Sequence, residues 1–279
     1  MTASTSTPFS FPPIAFIGGG NMASAIIGGL IRQGAPAARI TVVEPFEAQR
    51  QKLREQFGVQ VLEAAGSALA DAALVVWAVK PQTFKEAAAA VAPHAARALH
   101  LSVAAGIRSD SMAQWLATDH IVRAMPNTPA LVGLGMTGLF PRPGVSAAQK
   151  QLVEQVIATT GQYLWVQQEG QLDAVTALSG SGPAYVFYFL EAMAQAGTDM
   201  GLSPEQAHQL AVGTFVGASQ LAAQSSEPPA VLRERVTSKG GTTYAALESM
   251  RASHIAEHFV TAMRAAEKRA TELGDEFGR

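Results

Sequence analysis

Thr237-Ser-Lys-Gly-Gly-Thr-Thr243 crowds hydroxyls and glycine amides just ahead of a helical pattern. Backbone N–H groups, a helix N-terminus and Ser/Thr donors together make a cradle for a carboxylate. The same residues also fit a capped turn that binds nothing. Ser179-Gly-Ser-Gly-Pro183 opens another helix, with Pro183 well placed in its first turn. Its glycines admit either a ligand or a neighbouring helix. Ile14-Ala-Phe-Ile-Gly-Gly-Gly-Asn-Met-Ala-Ser-Ala25 reads G-x-G-x-x-A at Gly18, Gly20 and Ala23. Gly18 allows a tight turn out of a strand, Gly20 lets a pyrophosphate approach the backbone, and Ala23 lets helix and strand pack closely. An apolar run precedes this loop, a helical pattern follows it, and the acidic Glu44 ends the next apolar run. That context points to dinucleotide binding; the alternative is a glycine turn without a ligand.

Other chemistries are poorly supplied. There is no cysteine, so disulfides, thiolate catalysis and Cys-type zinc sites are excluded. His254, Glu257 and His258 match H-x-x-E-H, but the run from Glu248 to Lys268 is charged throughout and reads as a solvated helix face. No metal is expected, and no G-x-S-x-G nucleophile elbow is present. Twenty Lys and Arg stand against 22 Asp and Glu, net −2, with no basic run. Nucleic acid and anionic membrane are therefore disfavoured as partners. At 48% hydrophobic and 15% charged residues the chain is globular in type, and no apolar run reaches the ~18 residues of a membrane span. A cytoplasmic location is expected.

The elements that position these residues alternate through the first half. Strands are expected at 14–17, 39–44, 59–62, 74–79, 99–103, 121–124, 135–140 and 163–166. Helical stretches lie between most of them, at 45–57, 83–98, 109–116 and 146–159. Alternation of this kind implies a parallel, doubly wound sheet. Ligands of such a sheet sit at the carboxyl ends of its strands. That rule selects Gly18–Ala23, Glu44, Ala78-Val79-Lys80-Pro81, Ala104-Ala105-Gly106 and Met125–Pro129 for cofactor contact.

After about residue 168 only small-residue-rich helices are expected, at 183–200, 204–223, 230–236, 243–250 and 253–273. The reading is an α/β chain: a loose tail at 1–13, a Rossmann-type dinucleotide-binding domain at 14–168, and an all-α domain at 169–279. Gly213 and Gly217, with Ala218, form a small-residue stripe suited to close helix crossing, within the chain or between subunits.

Read together, these motifs resemble those of the pyrroline-5-carboxylate reductases. The resemblance rests on Phe16-Ile-Gly-Gly-Gly-Asn-Met22, Ala78-Val-Lys-Pro81, Met125-Pro-Asn-Thr-Pro129, Leu178-Ser-Gly-Ser-Gly-Pro-Ala-Tyr185 and Val236-Thr-Ser-Lys-Gly-Gly-Thr-Thr243 with Ala245-Ala-Leu-Glu248. They fall in the family's order and cover the chain from about residue 14 onward. Lys239 departs from the pattern, since many members carry Pro there.

The resemblance implies reduction of 1-pyrroline-5-carboxylate to L-proline with NADPH or NADH, the last step of proline biosynthesis. It implies an all-α dimerisation domain interlocked in a homodimer or a multiple of it. Each active site would lie between one subunit's nucleotide domain and its partner's helices. Gly18, Gly20, Asn21, Met22, Glu44, Ala78, Val79, Lys80, Pro81, Ala104, Ala105 and Asn127 would bind the cofactor. Ser238, with the amides of Gly241, Thr242 and Thr243, would hold the substrate carboxylate. The Thr243 hydroxyl would meet the ring nitrogen, making it the catalytic residue, and Ser181 would shape the nearby wall. A related β-hydroxyacid dehydrogenase or imine reductase is the enzymatic alternative. The former uses a Lys on the first interdomain helix, and Gly182–Met200 contains none. A non-catalytic nucleotide-sensing protein is the alternative from another class.

Overall fold

The structure is a computed structural model and describes residues 11–278. Eight strands form one sheet in the order β3-β2-β1-β4-β5-β6-β7-β8. They are β1 (Ile14–Ile17), β2 (Ile40–Val43), β3 (Gln60–Leu62), β4 (Leu74–Trp77), β5 (Leu99–Ser102), β6 (Ile121–Met125), β7 (Gly135–Pro141) and β8 (Gly161–Trp165). The connecting helices are α1 (Asn21–Arg32), α2 (Glu47–Phe57), α3 (Pro81–Val91), α4 (Ser109–Leu116) and α5 (Ala147–Ala158). Strands β1, β4 and β5 are buried at every position. That explains why β1 and β4 read as unbroken apolar runs, and β5 buries His100 and Ser102 among its leucines: helices cover both faces of the sheet. One core cluster joins Phe16, Ile26, Ile27 and Leu30, and a second joins Val75, Trp77, Phe84 and Met112.

Winding proceeds outward from β1 to β3, then returns to the other side at β4. The strand order thus reverses between β1 and β4, which makes this the topological switch point of the sheet. The expected parallel sheet fails in one place. β7 runs antiparallel to β6, and β8 runs parallel to β7. Only residues 126–134 join β6 to β7, with a single 3-10 turn at Thr128–Val132. A parallel crossover needs a dozen residues or more, usually with a helix, so this short link returns the chain antiparallel.

The rest is helical: α6 (Gln171–Val175), a π-turn at Thr176–Gly180, α7 (Gly182–Asp199), α8 (Pro204–Gln224), α9 (Pro229–Arg235), α10 (Thr242–Ala252) and α11 (Ile255–Phe277). Ser203 caps α8 with a capping box to Gln206, and Pro204 fills the first helical position.

Two compact units result. One runs to Gly180 and takes in the chain again from Ala266; the other is Ser181–Ala265. The change of composition near residue 168 precedes this division because α6 and the π-turn pack on the sheet. A Cβ on Gly138 of β7 would come within 2.8 Å of Val175. The end of α11 is held in the first unit by Thr271, whose hydroxyl donates to Asp173 at 3.1 Å, and by Ser111, whose hydroxyl donates to the Gly278 carbonyl at 2.7 Å. Most of the tail expected at 1–13 lies outside the described residues. Phe11 to Pro13 are not loose: Phe11 is buried in the first core cluster, and the Pro13 carbonyl accepts the Ala73 N–H at 2.9 Å.

In the second unit, Phe259 of α11 meets the rings of Tyr185 and Phe189 on α7, each edge-on at 5.6 Å. A Cβ on Gly197 would lie 2.9 Å from Ala207, so α7 and α8 cross there. The Gly213/Gly217 stripe meets no other helix among the described residues. A Cβ at either position would have no neighbour within 4 Å among the described residues.

Candidate active site

The glycine loop stands at the switch point. Gly18 adopts φ +90°, and a Cβ there would lie 2.7 Å from the Ala78 carbonyl oxygen. Only glycine tolerates both the conformation and the contact. Gly18 N–H donates to Val43 O and Ala78 N–H to Ile17 O, each at 2.8 Å. The loops after β1 and β4 are thereby tied together, with Val79 against Gly18 and Pro81 opening α3. Gly19, unassigned in the motif, is also crowded, though by a side chain and not by backbone: its Cβ would strike Leu53 Cδ1 at 2.4 Å. Gly20 is open, with nothing within 4 Å of a Cβ there. It precedes α1, whose first in-helix bond is Ser24 N–H to Gly20 O at 2.9 Å. The amides of Asn21, Met22 and Ala23 have no intrahelical acceptor. An open glycine and three amides at a positive helix end fit a dinucleotide pyrophosphate.

Glu44 is buried at the end of β2 and turned toward this loop. Its Oε2 accepts the Gly19 N–H at 2.9 Å and its Oε1 the Phe46 N–H at 3.0 Å. Gln49 closes the brace, donating from Nε2 to the Gly19 carbonyl at 2.5 Å. Each Glu44 oxygen keeps a lone pair for a ribose hydroxyl. Arg50, on α2 behind Glu44, is committed to its own loop and helix. Its Nη1 donates to the carbonyls of Glu44 at 2.9 Å and Pro45 at 2.6 Å, and the side chain pairs with Glu47. Arg54 also pairs with Glu47, at 3.1 Å.

Ala104 is buried after β5, with its N–H directed to the Ser102 hydroxyl at 3.3 Å, and Ala105 is exposed. Lys80, ahead of α3, is exposed. Asn127, after β6, has its side-chain amide bonded within the protein. Its Nδ2 donates to Ser179 O at 3.2 Å and to Ser179 Oγ at 3.1 Å, while its Oδ1 accepts the Met136 N–H at 2.9 Å.

In the helical unit, the turn before α10 is closed by the Gly241 N–H donating to Ser238 O at 3.0 Å. Gly240 takes φ +74°. The Gly241 amide is therefore spent on the turn rather than offered to a ligand. Gly241 is the N-cap residue and carries no side-chain cap; the helix's own bonding starts with Ala245 N–H to Gly241 O at 3.1 Å. The amides presented at this end are those of Thr242, Thr243 and Tyr244. Ser238 Oγ lies 2.7 Å from where a Gly241 Cβ would stand, so its hydroxyl occupies the same corner. Ser238, Thr242 and Thr243 are exposed, and Ser181, just ahead of α7, is half-buried. Tyr244 and Gln49 carry no signal in sequence, because neither sits in a glycine or hydroxyl motif.

His254 falls outside α11 at φ +50° and faces Glu257 at 3.7 Å. No cluster of three metal-binding side chains occurs among the described residues. None of their helices is long and apolar enough to cross a membrane.

Residues 169–273 match the family model for pyrroline-5-carboxylate reductase dimerisation, and residues 13–106 match that for coenzyme F420-dependent NADP oxidoreductases. The chain is 46% identical over 272 residues to a pyrroline-5-carboxylate reductase of Pseudomonas aeruginosa, covering 97% of this chain and 100% of that one. A solved pyrroline-5-carboxylate reductase from Coxiella burnetii superposes with TM-score 0.89 at 38% identity, covering 94% and 98% of the two chains. The Plasmodium falciparum pyrroline carboxylate reductase, solved with NADP bound, gives TM-score 0.85 at 25% identity over 95% and 99%.

Proposed function

This chain belongs to the pyrroline-5-carboxylate reductase family, and from that membership we propose how its residues divide the work. The enzyme reduces 1-pyrroline-5-carboxylate to L-proline at the expense of NADPH or NADH, the last step of proline biosynthesis. It works as a homo-oligomer joined through its helical part.

The nicotinamide supplies the hydride; the protein binds, orients and donates hydrogen bonds. The amides of Asn21 and Met22, beside the open Gly20, take the pyrophosphate. Glu44, Ala78 to Pro81, Ala104 and Ala105 line the rest of the cofactor. The substrate carboxylate is received by Ser238 Oγ and the amides of Thr242 and Thr243, and Ser181 forms the adjoining wall. The Thr243 hydroxyl faces the ring nitrogen. A protonated imine is already electrophilic, so a fixed near-attack geometry does most of the work and no lysine is needed. The observation that carries this reading is the uncapped N-terminus of α10 with the Ser238 hydroxyl beside it. Each site is completed between one subunit's nucleotide domain and its partner's helices, and the enzyme acts in the cytoplasm, where its reduced nicotinamide is maintained.

The test is oxidation of NADPH and NADH with 1-pyrroline-5-carboxylate by the native chain, Ser238→Ala and Thr243→Ala. Native turnover by both variants would move the substrate away from α10. Cell fractionation, with the activity recovered outside the soluble fraction, would overturn the location.

A further inference from the structure

The peptide carbonyl of Ser179 has lost both of its ordinary helical donors. The residue four positions on is Pro183, which has no N–H. The residue five positions on, which would serve in a π-turn, is Ala184, and its N–H goes to Ser181 O at 3.0 Å. The donor that reaches Ser179 O is the side-chain amide of Asn127, at 3.2 Å. The same Nδ2 lies 3.1 Å from Ser179 Oγ, and that hydroxyl in turn lies 3.3 Å from Met136 O. Asn127 Oδ1 is fixed by the Met136 N–H at 2.9 Å, so the amide cannot rotate away without breaking a third bond. Gly180 is pressed at the same point: a Cβ would stand 2.5 Å from Met125 Cε. Asn127 therefore grips a π-turn two residues ahead of Ser181, and π-turns concentrate at functional sites.

We propose that Asn127 is a positioning residue for the imine rather than a cofactor ligand: its side-chain amide replaces the backbone N–H that Pro183 lacks, and so fixes the turn that delivers Ser181. The inference rests on the assignment of Ser181 to the substrate site. An asparagine is required because the position needs a donor and an acceptor on one short planar group. Aspartate keeps the acceptor for Met136 and loses the donor for Ser179.

The test is a double-mutant cycle of Asn127→Ala and Pro183→Ala in the full-length enzyme. Stability in urea, the NADPH Kd from fluorescence titration, and kinetics with the imine are each measured. Asn127→Ala is expected to lower kcat/KM for the imine about tenfold, as for one lost hydrogen bond, with the NADPH Kd unchanged. Pro183→Ala restores an N–H at the vacant position, so the double variant should recover part of both the stability and the kcat/KM lost in Asn127→Ala. If Asn127→Ala does not fold, Asn127→Asp is measured in its place, with the same expected pattern. A tenfold weaker NADPH Kd that Pro183→Ala does not relieve would overturn the proposal and return Asn127 to the cofactor. Coupling in stability with native imine kinetics in every variant would overturn the positioning role, and would place the fault in the assignment of Ser181 rather than in the latch.

Discussion

Glu44 accepts the amide proton of Gly19 at 2.9 Å, across 25 residues of chain, and so holds the glycine loop to the end of β2. An acidic residue at this position ordinarily reads the ribose and repels a 2′-phosphate. Here it also stiffens the loop that faces the pyrophosphate. Replacing it has two separable consequences. Glu44→Ser should raise kcat/KM for NADPH relative to NADH, because the repelling charge is gone. It should also cost about 2 kcal/mol of stability, since the buried Gly19 N–H and the part-buried Phe46 N–H lose a charged acceptor. If thermal stability falls while the cofactor ratio stays fixed, Glu44 serves the loop alone.

Thr243 lies one residue inside α10, past the N-cap Gly241. Its hydroxyl is not the helix cap, so Thr243→Ala should change stability by no more than ~0.5 kcal/mol. If the hydroxyl meets the ring nitrogen, kcat/KM for the imine should fall roughly tenfold to a hundredfold, the worth of a hydrogen bond to a charged group. Cofactor affinity should hold, and Thr243→Ser should recover most of the loss. A destabilised protein with native kinetics would make Thr243 structural.

Gly241→Ala tests the same corner from the backbone. The new methyl would stand 2.7 Å from Ser238 Oγ, a mobile side-chain atom, and 3.2 Å from the Ser238 carbonyl oxygen, so the fold absorbs it by turning the hydroxyl away and easing the turn slightly. The expected result is a raised KM for the imine with an unchanged melting temperature. An unchanged KM would remove Ser238 from the carboxylate site.

Gly217→Leu probes assembly. Among the described residues nothing lies within 4 Å of a Cβ there, so there is room for the side chain. Replacing glycine by leucine inside α8 even favours the helix, by about 0.8 kcal/mol. A face used by a second subunit has no such room. Light scattering should show a smaller particle, with activity lost in parallel. Native mass and native activity would place the subunit contact elsewhere.

His100 predicts a pH dependence of stability. It lies buried in β5, accepting from Trp77 Nε1 on its Nδ1 at 3.1 Å. Burial away from water, against the opposing pull of a backbone hydrogen bond to Ala95, pushes its pKa down to about 4 from the usual 6.5. The unfolded chain therefore takes up a proton below about pH 6.5 that the folded chain refuses until about pH 4. Stability is full above that window and falls as pH drops through it, by on the order of 3 kcal/mol. The urea midpoint, followed from neutral pH downward, should decline less in His100→Asn than in the native chain. Parallel declines would assign the acid sensitivity to other groups, such as Glu169. There burial opposes ionisation, but Arg123 and the Ser109 hydroxyl and amide prevail and hold the carboxyl below its usual range.

What the sequence determined by itself is what repeats locally. The buried runs at 14–17, 74–77 and 99–102 carry their strand signal in consecutive residues, and the helices carry theirs in small-residue periods and Ser–Pro starts. The glycine loop and the hydroxyl-rich turn before α10 were legible for the same reason: their chemistry is written in adjacent positions. What only the tertiary structure decided is which distant groups meet. The direction of β7 followed from a link too short for a crossover. The commitment of Asn127 to Ser179 spans 52 residues, and that of Asp173 to Thr271 spans 98. The fate of the Gly241 amide depended on one turn's hydrogen bond. A polar side chain near a strand end has several acceptors within reach in sequence terms, and the one it takes is fixed only when sheet register and helix packing bring a partner within about 3 Å.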